Sequence, residues 1–234
     1  MKTKITLFSF LLPLLIVITT QKSVGAGVEK IKVMVTIPPF SEFVQKIGAE
    51  KVEVNTMVPS GANPHVYEPT PNQLKLLSNT KLYVAVGSGI EFELAWLGKL
   101  QAINPQMKVC FSSEEVSLID SKYGNHVHRE KRGEHRHAMS DPHVWLSPKN
   151  VIRIVQNIER ALIQLDPSNQ MFYRGHTQNY IAELKQLDQE IRKNFVDLKR
   201  KQFMVYHPAW AYFANDYGLA EIPIEIEGKE PTTN

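Results

Sequence analysis

Histidines are the residues best placed to do chemistry in this chain of 234 residues, which contains eight of them. Three stand directly beside a proline, in a loop or at the end of a predicted strand: His65, His143 and His207. Imidazole nitrogens are preferred ligands of Zn²⁺, and a neighbouring proline restricts the backbone and so reduces the cost of ordering a site. If the three histidines converge, they could hold a borderline-soft divalent ion such as zinc.

The residues alone leave that convergence open. A single histidine is more often a surface or core residue than a ligand, and these three are far apart in sequence and form no compact metal-binding motif. Four more lie close together between positions 126 and 137, interleaved with arginine and lysine: His126, His128, His135 and His137. Short histidine-rich tracts bind metal weakly, and adjacent cations repel a divalent ion. The alternative is a charged loop whose histidines bind nothing.

The elements that would position the three proline-flanked histidines alternate between strand-like and helical patterns. Strand-like runs at 31–37, 52–58, 82–86 and 108–111 alternate with helical patterns at 40–47, 71–79 and 91–100. This alternation predicts an α/β lobe with a mostly parallel sheet. In such sheets, ligand sites lie beyond the carboxyl ends of the strands, where His65 is expected.

A helical segment and the beginning of a second α/β lobe follow. Ser147-Pro148 and Asp166-Pro167 each predict a helix start, and the second helix would extend for about 45 Å, enough to link two lobes. The last 30 or so residues are too few to close a core, so we expect a chain truncated in its second lobe, with a natively short protein as the alternative. The predicted division is a signal peptide (1–26), an N-terminal α/β lobe (27–147) with a histidine-rich loop (124–140), a helical connector (148–201) with the long linking helix (167–201), and the start of a C-terminal α/β lobe (202–234).

The N-terminus is typical of an export signal. A basic start, an apolar run at 5–18 and small or compact residues at 24–26 predict a cleaved signal peptide and a periplasmic protein, with a buried N-terminal helix as the alternative. Without Lys2, Lys4 and Lys22, the 27 basic residues become 24 and equal the 24 acidic residues, so no excess positive charge favours nucleic acid. Cys110 is the only cysteine, so an intrachain disulfide is excluded. It lies in a predicted buried strand.

Three segments resemble a known family. The segments 63–71 (NPHVYEPTP), 141–148 (DPHVWLSP) and 206–210 (YHPAW) are similar to those of the metal-binding solute-binding proteins of zinc and manganese ABC importers. The resemblance implies two α/β lobes joined by a long rigid helix, with the metal held between the lobes. His65, His143 and His207 match the family's first three ligand positions, and a histidine at the third resembles the zinc proteins. The family's fourth ligand, an acid, falls beyond Asn234, and neither Glu225 nor Glu227 is assigned to it.

This resemblance implies a periplasmic, monomeric, high-affinity zinc-binding protein that is not an enzyme. It would carry Zn²⁺ as cargo, in preference to Mn²⁺, to an ABC importer permease in the inner membrane. The histidine-rich loop would be an auxiliary metal-gathering segment. Two alternatives are a zinc-dependent hydrolase with three histidines and a water on the metal, and a non-functional fragment of the importer protein.

Overall fold

A four-stranded parallel sheet forms the centre of the first lobe. The computed structural model describes residues 29–64, 66–120 and 140–225. The sheet has the order β2-β1-β3-β4, and all of its neighbouring strands are parallel. Its strands are β1 (Ile31–Val35), β2 (Val52–Thr56), β3 (Leu82–Ala85) and β4 (Lys108–Phe111). Every residue of β3 is buried, as expected of an inner strand covered on both faces.

Three helices connect these strands, and their bounds follow local sequence signals. Helix α1 (Pro38–Gly48) begins at two prolines and buries Phe40, Phe43, Val44 and Ile47. Helix α2 (Pro71–Leu77) begins at a capping box, in which the Thr70 hydroxyl accepts from the backbone of Gln73 and the Gln73 side chain returns to the backbone of Thr70. Helix α3 (Glu91–Ile103) precedes β4. These elements agree with the predicted alternation of strands and helices.

Two long helices lead out of the first lobe. Helix α4 (Pro148–Leu165) is capped by the Ser147 hydroxyl, which accepts from the backbone N–H of Asn150. Helix α5 (Gln170–Phe195) buries one face in its first half and contacts both α1 and α4. It is shorter than the helix predicted at 167–201. At its start, Asp166 accepts hydrogen bonds from Ser168 and Asn169, which hold 167–169 in a 3-10 turn.

The described part of the second lobe contains two parallel strands connected by a helix. Strand β5 (Gln202–Val205) pairs with β6 (Ala220–Pro223), and helix α6 (Ala211–Tyr217) connects them. Gly218 ends α6 in the left-handed region (φ 64°), which glycine adopts without a Cβ penalty. The two lobes with their linking helix confirm the predicted α/β class. Among the residues that the structure describes, no helix combines the length and the apolar character that a membrane crossing requires.

Candidate metal centre

His143 and His207 lie next to each other, although they belong to different lobes. Their ring centroids are 5.4 Å apart and the ring planes are inclined by 76°. His143 precedes a short 3-10 turn (Val144–Leu146) that leads into α4, and His207 follows β5 directly. The structure therefore brings together two of the three proline-flanked histidines.

The other predicted ligands fall outside the described residues. These are His65 and the four histidines of the loop, His126, His128, His135 and His137. Within residues 29–64, 66–120 and 140–225, no three histidine, cysteine or acidic side chains are grouped closely enough to hold a metal ion. The remaining histidine, His176, lies on α5 with its ring 4.4 Å from that of Phe172.

The His143 ring is held by a carboxylate. Asp141 Oδ1 accepts hydrogen bonds from His143 Nδ1, at 2.8 Å, and from the backbone N–H of His143, at 2.9 Å. With Nδ1 donating, Nε2 is left as the nitrogen with a free lone pair. A carboxylate behind an imidazole in this way fixes the tautomer and makes the ring a better metal ligand. The sequence analysis did not identify Asp141 as functional, although its position two residues before His143 was a usable signal.

His207 has a more open environment. Its side chain is 45% exposed, compared with 18% for His143, and its Nδ1 lies 3.5 Å from Glu225 Oε2. The backbone N–H of Glu225 donates to the carbonyl of Tyr206, which keeps this carboxylate beside the histidine. Glu225 reaches this place because β6 pairs with β5, a contact for which the sequence contains no local signal.

The segment that carries His143 is held on its other side by the first lobe. The Ser88 hydroxyl donates to the carbonyl of Pro142 at 2.6 Å. Ser88 belongs to the turn after β3, and that turn is held by the buried carboxylate of Glu93, which accepts from the backbone N–H groups of Val86 and Gly87. Burial raises the pKa of Glu93, against the opposing effect of hydrogen bonds from Thr36 and from these backbone groups. Neither Ser88 nor Glu93 was identified from the sequence.

The described part of this region is a pair of histidines from different lobes. The two imidazole rings are arranged edge to face. His143 is held by a carboxylate, and His207 is more accessible to solvent. Residues 33–234 match the family model described as zinc-uptake complex component A, periplasmic (ZnuA). The chain belongs to the ZnuA family. The resemblance seen in the sequence motifs is thereby confirmed, and members of this family are substrate-binding proteins of transport systems.

Curated ZnuA relatives show the extent of the likeness. The chain is 32% identical over 208 residues to the high-affinity zinc uptake system protein ZnuA of Bacillus subtilis; the match covers 88% of this chain and 64% of that protein. It is 30% identical to the manganese ABC transporter substrate-binding lipoprotein PsaA of Streptococcus anginosus, covering 97% of this chain and 73% of that one. The chain thus spans slightly less than two thirds of the Bacillus subtilis relative.

Solved ZnuA structures have the same fold. A ZnuA crystal structure superimposes with a TM-score of 0.78 at 39% identity, covering 87% of this chain and 74% of the other. A zinc-bound deletion mutant of ZnuA gives 0.76 at 40% identity, with 87% and 73% coverage. Membership in a zinc-uptake family favours neither the hydrolase nor the non-functional fragment.

Proposed function

We propose that this protein is the periplasmic, high-affinity zinc-binding component of an ABC importer. It captures Zn²⁺ between its two lobes through His65, His143 and His207 and delivers the ion to a permease in the inner membrane. The observation that carries this proposal is the His143–His207 pair, which joins the lobes with the Nδ1 of His143 held by Asp141. The role is binding and transfer, and the protein is not an enzyme.

Four lines of support favour zinc over manganese as the cargo. Imidazole suits Zn²⁺, whereas carboxylate and carbonyl oxygens suit Mn²⁺, and zinc stands higher in the divalent affinity order. The Bacillus subtilis relative is named a zinc uptake protein, and one of the ZnuA structures contains zinc. The manganese protein of Streptococcus anginosus is also a relative, so Mn²⁺ is the competitor to include in a binding assay.

The rest of the proposal concerns export and organisation. Residues 1–26 act as a cleaved signal peptide, and the mature chain is a monomer. Its parts are the N-terminal lobe (27–147), the helical connector (148–201) and the C-terminal lobe from residue 202. The histidine-rich loop at 124–140 gathers zinc as an auxiliary segment through His126, His128, His135 and His137.

The test is a zinc titration of the mature protein against a competing chelator. We expect one tightly bound zinc per chain. Replacing His65, His143 or His207 by alanine should reduce the zinc affinity by more than ~100-fold, which is the upper end of the loss seen when a residue that only supports a ligand is changed. His176→Ala is the matched control, because this histidine packs on Phe172 away from the site. Deletion of 126–137 should leave the tight site intact. Tight binding that survives the three substitutions and disappears with the loop would refute the proposed site.

Transport needs a separate measurement. Zinc-loaded protein is added to liposomes that contain the cognate permease and its ATPase, and zinc uptake is followed. Uptake should require the wild-type protein and should be lost with His143→Ala. Equal uptake from free zinc, with no added binding protein, would contradict the delivery role.

A further inference from the structure

Helix α6 is the element that connects His207 to the first lobe. Its first turn lies close after His207, and the backbone N–H groups of Ala209 and Trp210 both donate to Glu221 Oε1, at 3.0 and 3.1 Å. Glu221 belongs to β6, which is paired with the strand that leads into His207. The segment between His207 and α6 is therefore fixed within the second lobe.

Tyr212 on α6 reaches the segment that carries His143. Its side chain is buried, at 3% exposure, and its hydroxyl donates to the carbonyl of Asp141 at 2.8 Å and accepts from the backbone N–H of Ile119 at 3.2 Å. The backbone N–H of Asp141 donates in turn to the carbonyl of Ile119. One hydroxyl from the second lobe thus holds the backbone of Asp141, the residue whose carboxylate orients His143. Burial raises the pKa of Tyr212, so the hydroxyl keeps the proton that it donates.

Asp216 makes a second connection one helical turn later. Its Oδ2 accepts a 2.5 Å hydrogen bond from the Ser147 hydroxyl, and its Oδ1 lies 3.2 Å from Lys149 Nζ. Ser147 is the N-cap of α4 and follows His143 closely in the chain. Residues four apart share one face of a helix, so Tyr212 and Asp216 contact the first lobe on either side of His143. The Asp216 carboxylate is only 13% exposed but Lys149 is 52% exposed, so the Ser147 hydrogen bond is the better shielded of the two contacts.

We propose that Tyr212 and Asp216 are positioning residues that hold the two lobes in register and so set the separation of His143 and His207. This inference rests on the proposed zinc site. Neither side chain is among the proposed zinc ligands. Because these contacts align the two lobes when the protein folds, no free energy of zinc binding is used to align them.

The test compares Tyr212→Phe and Asp216→Ala with a control on the same helix. The Tyr217 hydroxyl donates to Asp188 on α5 rather than to the first lobe, so Tyr217→Phe also removes one tyrosine hydrogen bond but leaves the interlobe contacts in place. We expect zinc affinity, measured by chelator competition, to fall by about tenfold or more in each of the first two variants. In Tyr217→Phe it should stay within about twofold of wild type, a change of well under 1 kcal/mol. Thermal unfolding establishes that each variant is folded.

A second readout separates positioning from a general loss of stability. Spin labels at Leu94→Cys and Met204→Cys, both exposed positions on different lobes, report the interlobe distance in zinc-free protein by pulsed electron paramagnetic resonance. The native Cys110 is not labelled, because burial raises the pKa of its thiol to about 12. The distance distribution should broaden in Tyr212→Phe and Asp216→Ala and remain narrow in Tyr217→Phe.

The outcomes distinguish this inference from the proposed function. Wild-type affinity and a narrow distance distribution in folded Tyr212→Phe and Asp216→Ala would overturn the positioning role while leaving the zinc site standing. Failure of the wild-type protein to bind zinc would refute the proposed function instead, and the distance distributions would still test whether these residues hold the lobes together. Lower thermal stability with an unchanged distance distribution and affinity also counts against the inference.

Discussion

The rings of His143 and His207 lie edge to face with their centroids 5.4 Å apart, and the two side chains differ in exposure. The His143 side chain is 18% exposed and held by Asp141, whereas that of His207 is 45% exposed. The pair therefore joins an oriented imidazole on the first lobe to a more solvent-accessible one on the second.

Asp141 should contribute to zinc affinity without touching the metal. We expect Asp141→Ala to weaken binding by about 10- to 100-fold, because His143 loses the acceptor that fixes its tautomer and orientation. Chelator competition measures the change. Asp166→Ala is a matched control. Asp166 lies between α4 and α5 and accepts from the Tyr173 hydroxyl, so its substitution should change stability and leave zinc affinity unchanged. Equal affinities in the wild type and Asp141→Ala would contradict this role.

The difference in exposure predicts unequal chemical reactivity of the two rings. In zinc-free protein, diethyl pyrocarbonate should modify His207 faster than His143, because the reagent must reach an imidazole nitrogen and His143 is both less exposed and engaged at Nδ1. Added zinc should protect both. Peptide mass spectrometry resolves each histidine, and His176 provides an unprotected reference. Faster modification of His143 would show that the two environments are reversed.

Glu93 should make stability fall as pH rises. Burial raises its pKa in the folded state above the ordinary value of 4.5, so the folded protein retains a proton that the unfolded chain releases. The stabilising contribution is fully present below pH 4.5 and declines as pH increases through the folded-state pKa. Urea unfolding of zinc-free protein measures this effect. As pH rises above 4.5, the free energy of unfolding of the wild type should decrease relative to that of Glu93→Gln. A difference that does not vary between about pH 4 and pH 8 would contradict the raised pKa.

Gly48 is required by the close approach of β2 to the end of α1. A Cβ at this position would lie 2.3 Å from Val52 Cγ1 and 2.6 Å from Cγ2, so Gly48→Ala should destabilise the fold by about 1–3 kcal/mol through overpacking. Val52→Ala in the same chain removes both methyl groups and should recover part of that loss, which a double-mutant cycle by urea unfolding would measure.

Gly98→Ala is the control for this prediction. Gly98 lies within α3, and among the described residues no atom outside its chain neighbours and its own helix backbone lies within 4 Å of the position that its Cβ would occupy. In open space alanine is the better helix former by about 1 kcal/mol, so this substitution should stabilise the protein. A loss of stability at Gly98 as large as that at Gly48 would show that steric contact with Val52 is not the cause.

The sequence by itself determined the α/β class, the order of the elements and the family. Those features depend on patterns within a few residues, such as the capping box at Thr70, the serine cap at Ser147 and the apolar face of α1, and on short segments around His65, His143 and His207. Helix α5 is shorter than predicted at both ends, because a 3-10 turn that depends on Asp166 side-chain contacts replaces its first residues and the helix ends at Phe195.

Only the tertiary structure decided which of these residues meet. The adjacency of His143 and His207, the approach of Glu225 to His207 and the reach of Tyr212 to Asp141 all join residues that are distant in the chain. Spacing along a sequence contains no information on such distances, because they are set by how β6 pairs with β5 and by how α6 packs against the first lobe. His65 lies outside the described residues, and its place beside the other two histidines stays a prediction.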